Sequence, residues 1–104
     1  MSVLIKQTAD FHVLQFTQEL TIFTVGTYMS EISELLGKED QKVVLDLSEV
    51  EDFDTAGFQL IWWLALQFQA KGVAKVVGCE NEVIQRLLDL YKFEFPENLD
   101  AVSA

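Results

Sequence analysis

The threonine hydroxyl at position 55 is the group on this chain best placed for chemistry. It lies in Glu51-Asp52-Phe53-Asp54-Thr55-Ala56-Gly57-Phe58, between a strand-like run, Lys42 to Ser48, and an apolar helical stretch, Gln59 to Lys71. A hydroxyl at that handover meets the first turn of a helix, whose free N–H groups and positive dipole end can hold a hydroxyl, a carboxylate or a phosphate. Four carboxylates, Glu49, Glu51, Asp52 and Asp54, crowd the approach. Two roles fit the spacing. One is phosphorylation of Thr55, which would set about −1.5 to −2 charges among those acids. The other is a helix cap, with Asp54 or Thr55 accepting from first-turn N–H groups, a contact worth about 0.5–2 kcal/mol. Gly57 is either tolerated in the first turn at a cost in stability or lets a partner approach closely.

The helix that follows carries more apolar surface than one buried face needs. With Phe58 at the centre of the core face, Ile61, Trp62, Ala65 and Phe68 share it. Gln59, Leu60, Trp63, Gln67 and Ala70 then point outward. Leu60 and Trp63 on a Gln-rich face form a candidate partner-binding patch, because exposed Trp anchors interfaces. A helix sandwiched by another part of the chain, or rotated from this setting, is the alternative.

Other chemistry is poorly supplied. There is one His (His12) and one Cys (Cys79), with no metal-ligand spacing and no Cys/His pair. Cys79 reads as a small packing residue. Gly72 and Gly78 flank one strand as stops and form no phosphate-cradling loop or dinucleotide fingerprint. No metal, no cofactor and no enzymatic activity are expected.

The elements that must position Thr55 follow from hydrophobic periodicity. Strands are expected at Phe11 to Gln18, with Val3 to Ile5 extending or preceding it, and at Leu20 to Phe23. Val43 to Leu47 reads as a strand buried on both faces, and Val73 to Val77 as another. Helices are expected over Thr24 to Leu36, stopped by Gly37, over Gly57 to Ala70, and over Glu80 to Tyr91. Phe93 and Phe95 would add a short last strand before Pro96. Strands alternating with helices give right-handed crossovers. The fold class is therefore α/β with a mostly parallel sheet. Residues 1–104 form a single domain, with its core over about 11–95 and a polar tail over 96–104 that frays.

Half the residues are hydrophobic, so a modest core is available. The longest wholly apolar run, Leu60 to Leu66, is far short of a membrane span. No charged segment followed by an apolar stretch opens the chain, so no secretory signal is expected. A lone Cys fits a reducing cytoplasm. The net charge of −10 repels nucleic acid and anionic lipid and attracts a basic protein surface.

The stretch from Val43 to Phe58 resembles the signature of STAS domains, the anti-sigma factor antagonists and their relatives. The shared pattern is an apolar strand ending in Asp46-Leu47-Ser48, a linker, and then Asp54, Thr55, Ala56, Gly57 and Phe58. The order of elements from about Phe11 to Phe95 fits as well, and the resemblance implies a mixed, mostly parallel sheet with helices packed chiefly on one side. The resemblance implies a non-enzymatic bacterial regulator that binds a protein, either an ATP-binding anti-sigma factor kinase or a transporter ATPase. By position, Thr55 is the residue such a kinase phosphorylates. Asp54 is then either the cap or a group that positions the kinase's reacting centre, and Asp46 is a weaker candidate for the same rim. The partner-binding set is Asp52, Asp54, Thr55, Ala56, Gly57, Leu60 and Trp63. The common pattern has Ser at 55 and at 56. The Asp-Thr-Ala-Gly form is similar to the STAS subunit of Mla-type lipid transporters, which binds an ATPase without being phosphorylated.

Overall fold

The computed structural model describes residues 3–8 and 10–96. The elements are β1 (Val3–Gln7), β2 (His12–Leu20), α1 (Val25–Leu36), β3 (Lys42–Phe53), α2 (Thr55–Lys71), β4 (Val73–Val77) and α3 (Glu82–Tyr91). The strands lie in the order β1-β2-β3-β4, with β1 antiparallel to β2 and the other pairs parallel. The parallel strands step in one direction across the sheet. Right-handed crossovers stepping the same way fall on the same face, and α1 and α2 are those crossovers. Leu14, Phe16, Val43, Leu45, Leu47 and Ala74 are buried beneath the helices, while Val13, Gln15, Val44, Asp46 and Lys75 alternate with them and keep access to solvent. The α/β architecture is the one expected. Val43 to Leu47 is nonetheless covered on one face only, because among the described residues no helix crosses to the other side.

Two boundaries near Thr55 differ from expectation. β3 does not stop near Leu47; it runs through the acidic stretch to Phe53. Register shifts against β2, between Gln15 and Thr17 and between Gln18 and Glu19, change which residues face inward. Val50 and Phe53 are therefore buried while Ser48, Glu49, Glu51 and Asp52 are exposed. That spacing breaks the period of two and hides the strand from a reading by alternation.

Leu20 to Phe23 is not a separate strand. Leu20 ends β2, and the next residues form a turn in which the N–H groups of Thr24 and Val25 donate to the Thr21 carbonyl. Tyr28 of α1 braces this region: its hydroxyl donates to the Thr17 carbonyl at 2.8 Å, and its ring meets Phe16 edge-on at 5.1 Å. Burial raises the Tyr28 pKa, with Glu31 and Glu19 adding to the rise against the Thr17 bond.

Asn81 pins the far side of β3. Its side-chain amide donates to the carbonyls of Leu47, Ser48 and Val50, and its Oδ1 accepts from Val83 N–H as the cap of α3. Phe93 and Phe95 do not extend the sheet. They fold back onto α2, and the tail expected over 96–104 lies, from 97 onward, outside the described residues.

Candidate functional site

The junction between β3 and α2 is a single residue, Asp54, in extended conformation (φ −124°, ψ −176°). Its Oδ1 accepts from Gly57 N–H at 2.9 Å, which makes Asp54 the cap of α2. Its Oδ2 accepts from Ile22 N–H at 3.0 Å, tying the β2–α1 turn to the same point. Both carboxylate oxygens are thus engaged within the fold. Thr55 is consequently not the cap but the first residue of the helix, with an exposed side chain. Its hydroxyl meets the hydroxyl of Tyr91, at the end of α3.

Gly57 is buried, and the reason is internal. A Cβ at this position would stand 2.1 Å from the Leu20 carbonyl oxygen, so the helix start can rest on the end of β2 only without a side chain. The expectation that Gly57 admits a partner is corrected accordingly: the Leu20 backbone fills that space. Ala56 is half-buried beside it.

Asp46 does not join this rim. It lies within β3 on the uncovered face, accepting from Ser48 N–H at 2.9 Å and from the Gln15 amide at 3.2 Å. Seven residues of strand, about 20 Å, separate it from the end of β3. His12 opens β2, at the opposite end of the parallel strands from Thr55.

The helix is rotated from the sequence setting. Gly57, Leu60, Ile61, Leu64, Ala65 and Phe68 are its buried residues. At about 100° per residue, the core face is turned by about 60° toward Leu60. Leu60, expected outside, is 8 % exposed and belongs to the core, whereas Trp63 is 44 % exposed and points outward. Phe58 and Trp62 flank the core face and are covered by the chain after α3. Phe58 stacks on Tyr91 at 5.9 Å and meets Phe93 edge-on at 5.1 Å; Trp62 meets Phe93 at 5.3 Å and Phe95 at 5.9 Å.

Sequence reasoning missed the apolar half of the rim. Ile22 and Phe23 stand on the turn bound to Asp54, 62 % and 87 % exposed. Across Thr55, Leu90 and Tyr91 end α3, both exposed. Leu90 lines a shallow groove with Glu51, Asp52 and Arg86. A β-prone tetrapeptide, Leu20 to Phe23, gave no sign that two of its residues would be left outside the core. The rim is thus a hydroxyl framed by apolar anchors and by the exposed carboxylates of Glu49, Glu51 and Asp52. Cys79 is half-buried, and burial together with Glu80 pushes its thiol up to about 11, so it is protonated and weakly nucleophilic at neutral pH.

A capped helix start with an exposed hydroxyl, ringed by protruding apolar residues, has the make-up of a binding surface. The model of the STAS domain family matches residues 2–102, nearly the full length, and the chain belongs to that family. STAS domains are regulatory or binding modules that generally mediate protein–protein interactions. No curated protein matches the chain. Among the described residues, no helix is long and apolar enough to cross a membrane.

Proposed function

We propose that this STAS domain is a non-enzymatic bacterial regulator of the anti-sigma factor antagonist type, working in the cytoplasm. Its rim of Ile22, Phe23, Asp52, Thr55 and Tyr91, together with the exposed Trp63 about two turns further along α2, binds a protein partner, an ATP-binding anti-sigma factor that is also a serine/threonine kinase. Phosphorylation of Thr55 releases that partner. The observation that carries this reading is the division of labour at the junction. Asp54 caps the helix, so the Thr55 hydroxyl is exposed and can change chemically without unfastening the fold. The transfer itself is simple. Thr55 Oγ1 attacks the γ-phosphorus of the kinase's ATP, the bond to ADP breaks, and the hydroxyl proton leaves to a base on the kinase. The helix N-terminus tolerates the added charge. A partner surface matched to a neutral hydroxyl does not.

The charge of −10 favours a partner rich in Lys and Arg over nucleic acid. The test is mass spectrometry of the chain after incubation with ATP and the kinase encoded beside its gene. One phosphate on Thr55, and none on Thr55→Val, supports the switch. A phosphate elsewhere, or none, refutes it. Ala56, in place of a second hydroxyl, favours a second reading, an unphosphorylated subunit that regulates the ATPase of an Mla-type lipid transporter. Stable copurification with such an ATPase, without phosphate, would decide for it.

A further inference from the structure

The chain after α3 folds back over a second apolar face of α2, and Tyr91, the last residue of α3, touches Thr55. Lys92 adopts a left-handed conformation (φ +54°), its N–H donates to the Asp89 carbonyl, and Phe93 N–H donates to the Leu88 carbonyl at 3.0 Å. This is the Schellman type of helix ending, which reverses the chain. The reversal delivers Phe93 and Phe95 onto Phe58 and Trp62. Tyr91 closes the arrangement, with its ring against Phe58 and its hydroxyl on that of Thr55.

We propose that residues 91–96 are a strap whose latch is the Thr55–Tyr91 hydroxyl pair, so that the state of Thr55 controls whether Phe58 and Trp62 are covered. A group attached to Thr55 Oγ1 occupies the space where the Tyr91 hydroxyl sits. So does a partner atom that takes the Thr55 hydroxyl for its own hydrogen bond. Either displaces Tyr91. The Tyr91 ring stacks on Phe58, and Phe58 also holds Phe93 and Phe95, so the displacement passes along one continuous aromatic cluster. A change at the rim thereby exposes an apolar face on the flank of the same helix. Tyr91 acts here as a positioning residue for Thr55 and as the sensor of its state.

The proposal rests on the assignment of Thr55 above, but its test uses the free chain. A failed test would leave partner binding at the rim standing, and a failure of partner binding would leave the strap standing. Trp63→Phe provides a background in which Trp62 is the only indole. In that background Tyr91→Phe and Thr55→Val each remove one hydroxyl and keep the volume. Each is expected to speed amide exchange at Phe93 by about 2- to 10-fold, the range of one net hydrogen bond. Exchange at Leu45, in the middle of β3, should stay as it is. The double variant should go no further than either single, because both remove the same contact. Thr55→Glu adds bulk at the latch and should raise acrylamide quenching of Trp62 beyond Thr55→Val. Unchanged exchange at Phe93, effects of the two single variants that add, or quenching in Thr55→Glu equal to that of the unaltered background would each overturn the strap.

Discussion

The inner and outer sides of the β3–α2 junction are built from neighbouring residues with opposite commitments. On the inner side, Asp54 spends both carboxylate oxygens on backbone N–H groups, and Gly57 is pressed against the Leu20 carbonyl. On the outer side, Thr55, Ile22 and Phe23 are exposed, and the Thr55 hydroxyl meets Tyr91 at the end of α3. A four-residue motif, Asp54 to Gly57, is thus part fastening and part display. Residues that a motif groups together need not share a task. In this chain Asp54 and Gly57 are held by contacts within the fold, and Thr55 is the residue proposed for regulation.

The comparison can be broken first at Gly57. Gly57→Ala drives a methyl into the Leu20 backbone, and its expected cost is about 3 kcal/mol, toward the upper end for overpacking. Urea unfolding measures it. A loss below about 1 kcal/mol would show that the helix start is not held against β2.

The two adjacent tryptophans come next. Trp62→Ala strips the aromatic cover from Phe93 and Phe95 and should cost about 2–3 kcal/mol, below the range for a fully buried Trp because the side chain is half-buried. Trp63→Ala should stay within about 0.5 kcal/mol, as exposed substitutions do. Equal losses would mean that the outer face of α2 is packed after all.

Asp54→Ala removes a cap and a second bond to Ile22 and should cost about 2 kcal/mol. Thr55→Ala should cost under about 1 kcal/mol, since only the contact with Tyr91 is lost. The reverse order in denaturant titrations would make Thr55 the cap and end the division drawn here.

The smallest effect is at Cys79. Its folded thiol pKa is raised from 9.0 to about 11, so the folded state holds the proton more tightly than the unfolded one. The associated stability is intact below about pH 9 and is lost as pH rises toward about 11. Cys79→Ala should remove that part of the alkaline loss, visible as a shallower fall in unfolding midpoint across this window. Identical curves for both proteins would contradict the burial of the thiol.

Much of this was legible in the residues. Hydrophobic spacing located α1 and β4, the strand through Val43 to Leu47, and the α/β order, because each is a local pattern. The Asp-Leu-Ser and Asp-Thr-Ala-Gly segments pointed to the junction and to Thr55. The rotation of α2 was not legible. Phe58, Leu60, Ile61, Trp62 and Leu64 are all apolar, and periodicity does not say which are covered by a sheet and which by a returning segment. The return itself depends on Lys92 taking a left-handed conformation, for which a Lys gives no signal. The acidic end of β3 was hidden for another reason: bulges in β3 itself, opposite Gln15–Thr17 and Gln18–Glu19 of β2, alter its inward spacing. The exposure of Phe23 was hidden as well, since nothing local distinguishes a displayed aromatic residue from a buried one.

The central claim is that Thr55 serves a partner while Asp54 serves the fold, and calorimetric titration of the partner kinase against the wild-type chain and Thr55→Glu tests it most directly. A carboxylate in the first turn of α2 is compatible with the helix dipole and offsets part of the lost contact with Tyr91, so the unfolding free energy should fall by no more than about 1 kcal/mol. The affinity should fall at least about tenfold, or about 1.4 kcal/mol. Equal affinity for the two proteins would contradict the account, as would a loss of binding that merely tracks a loss of folded protein.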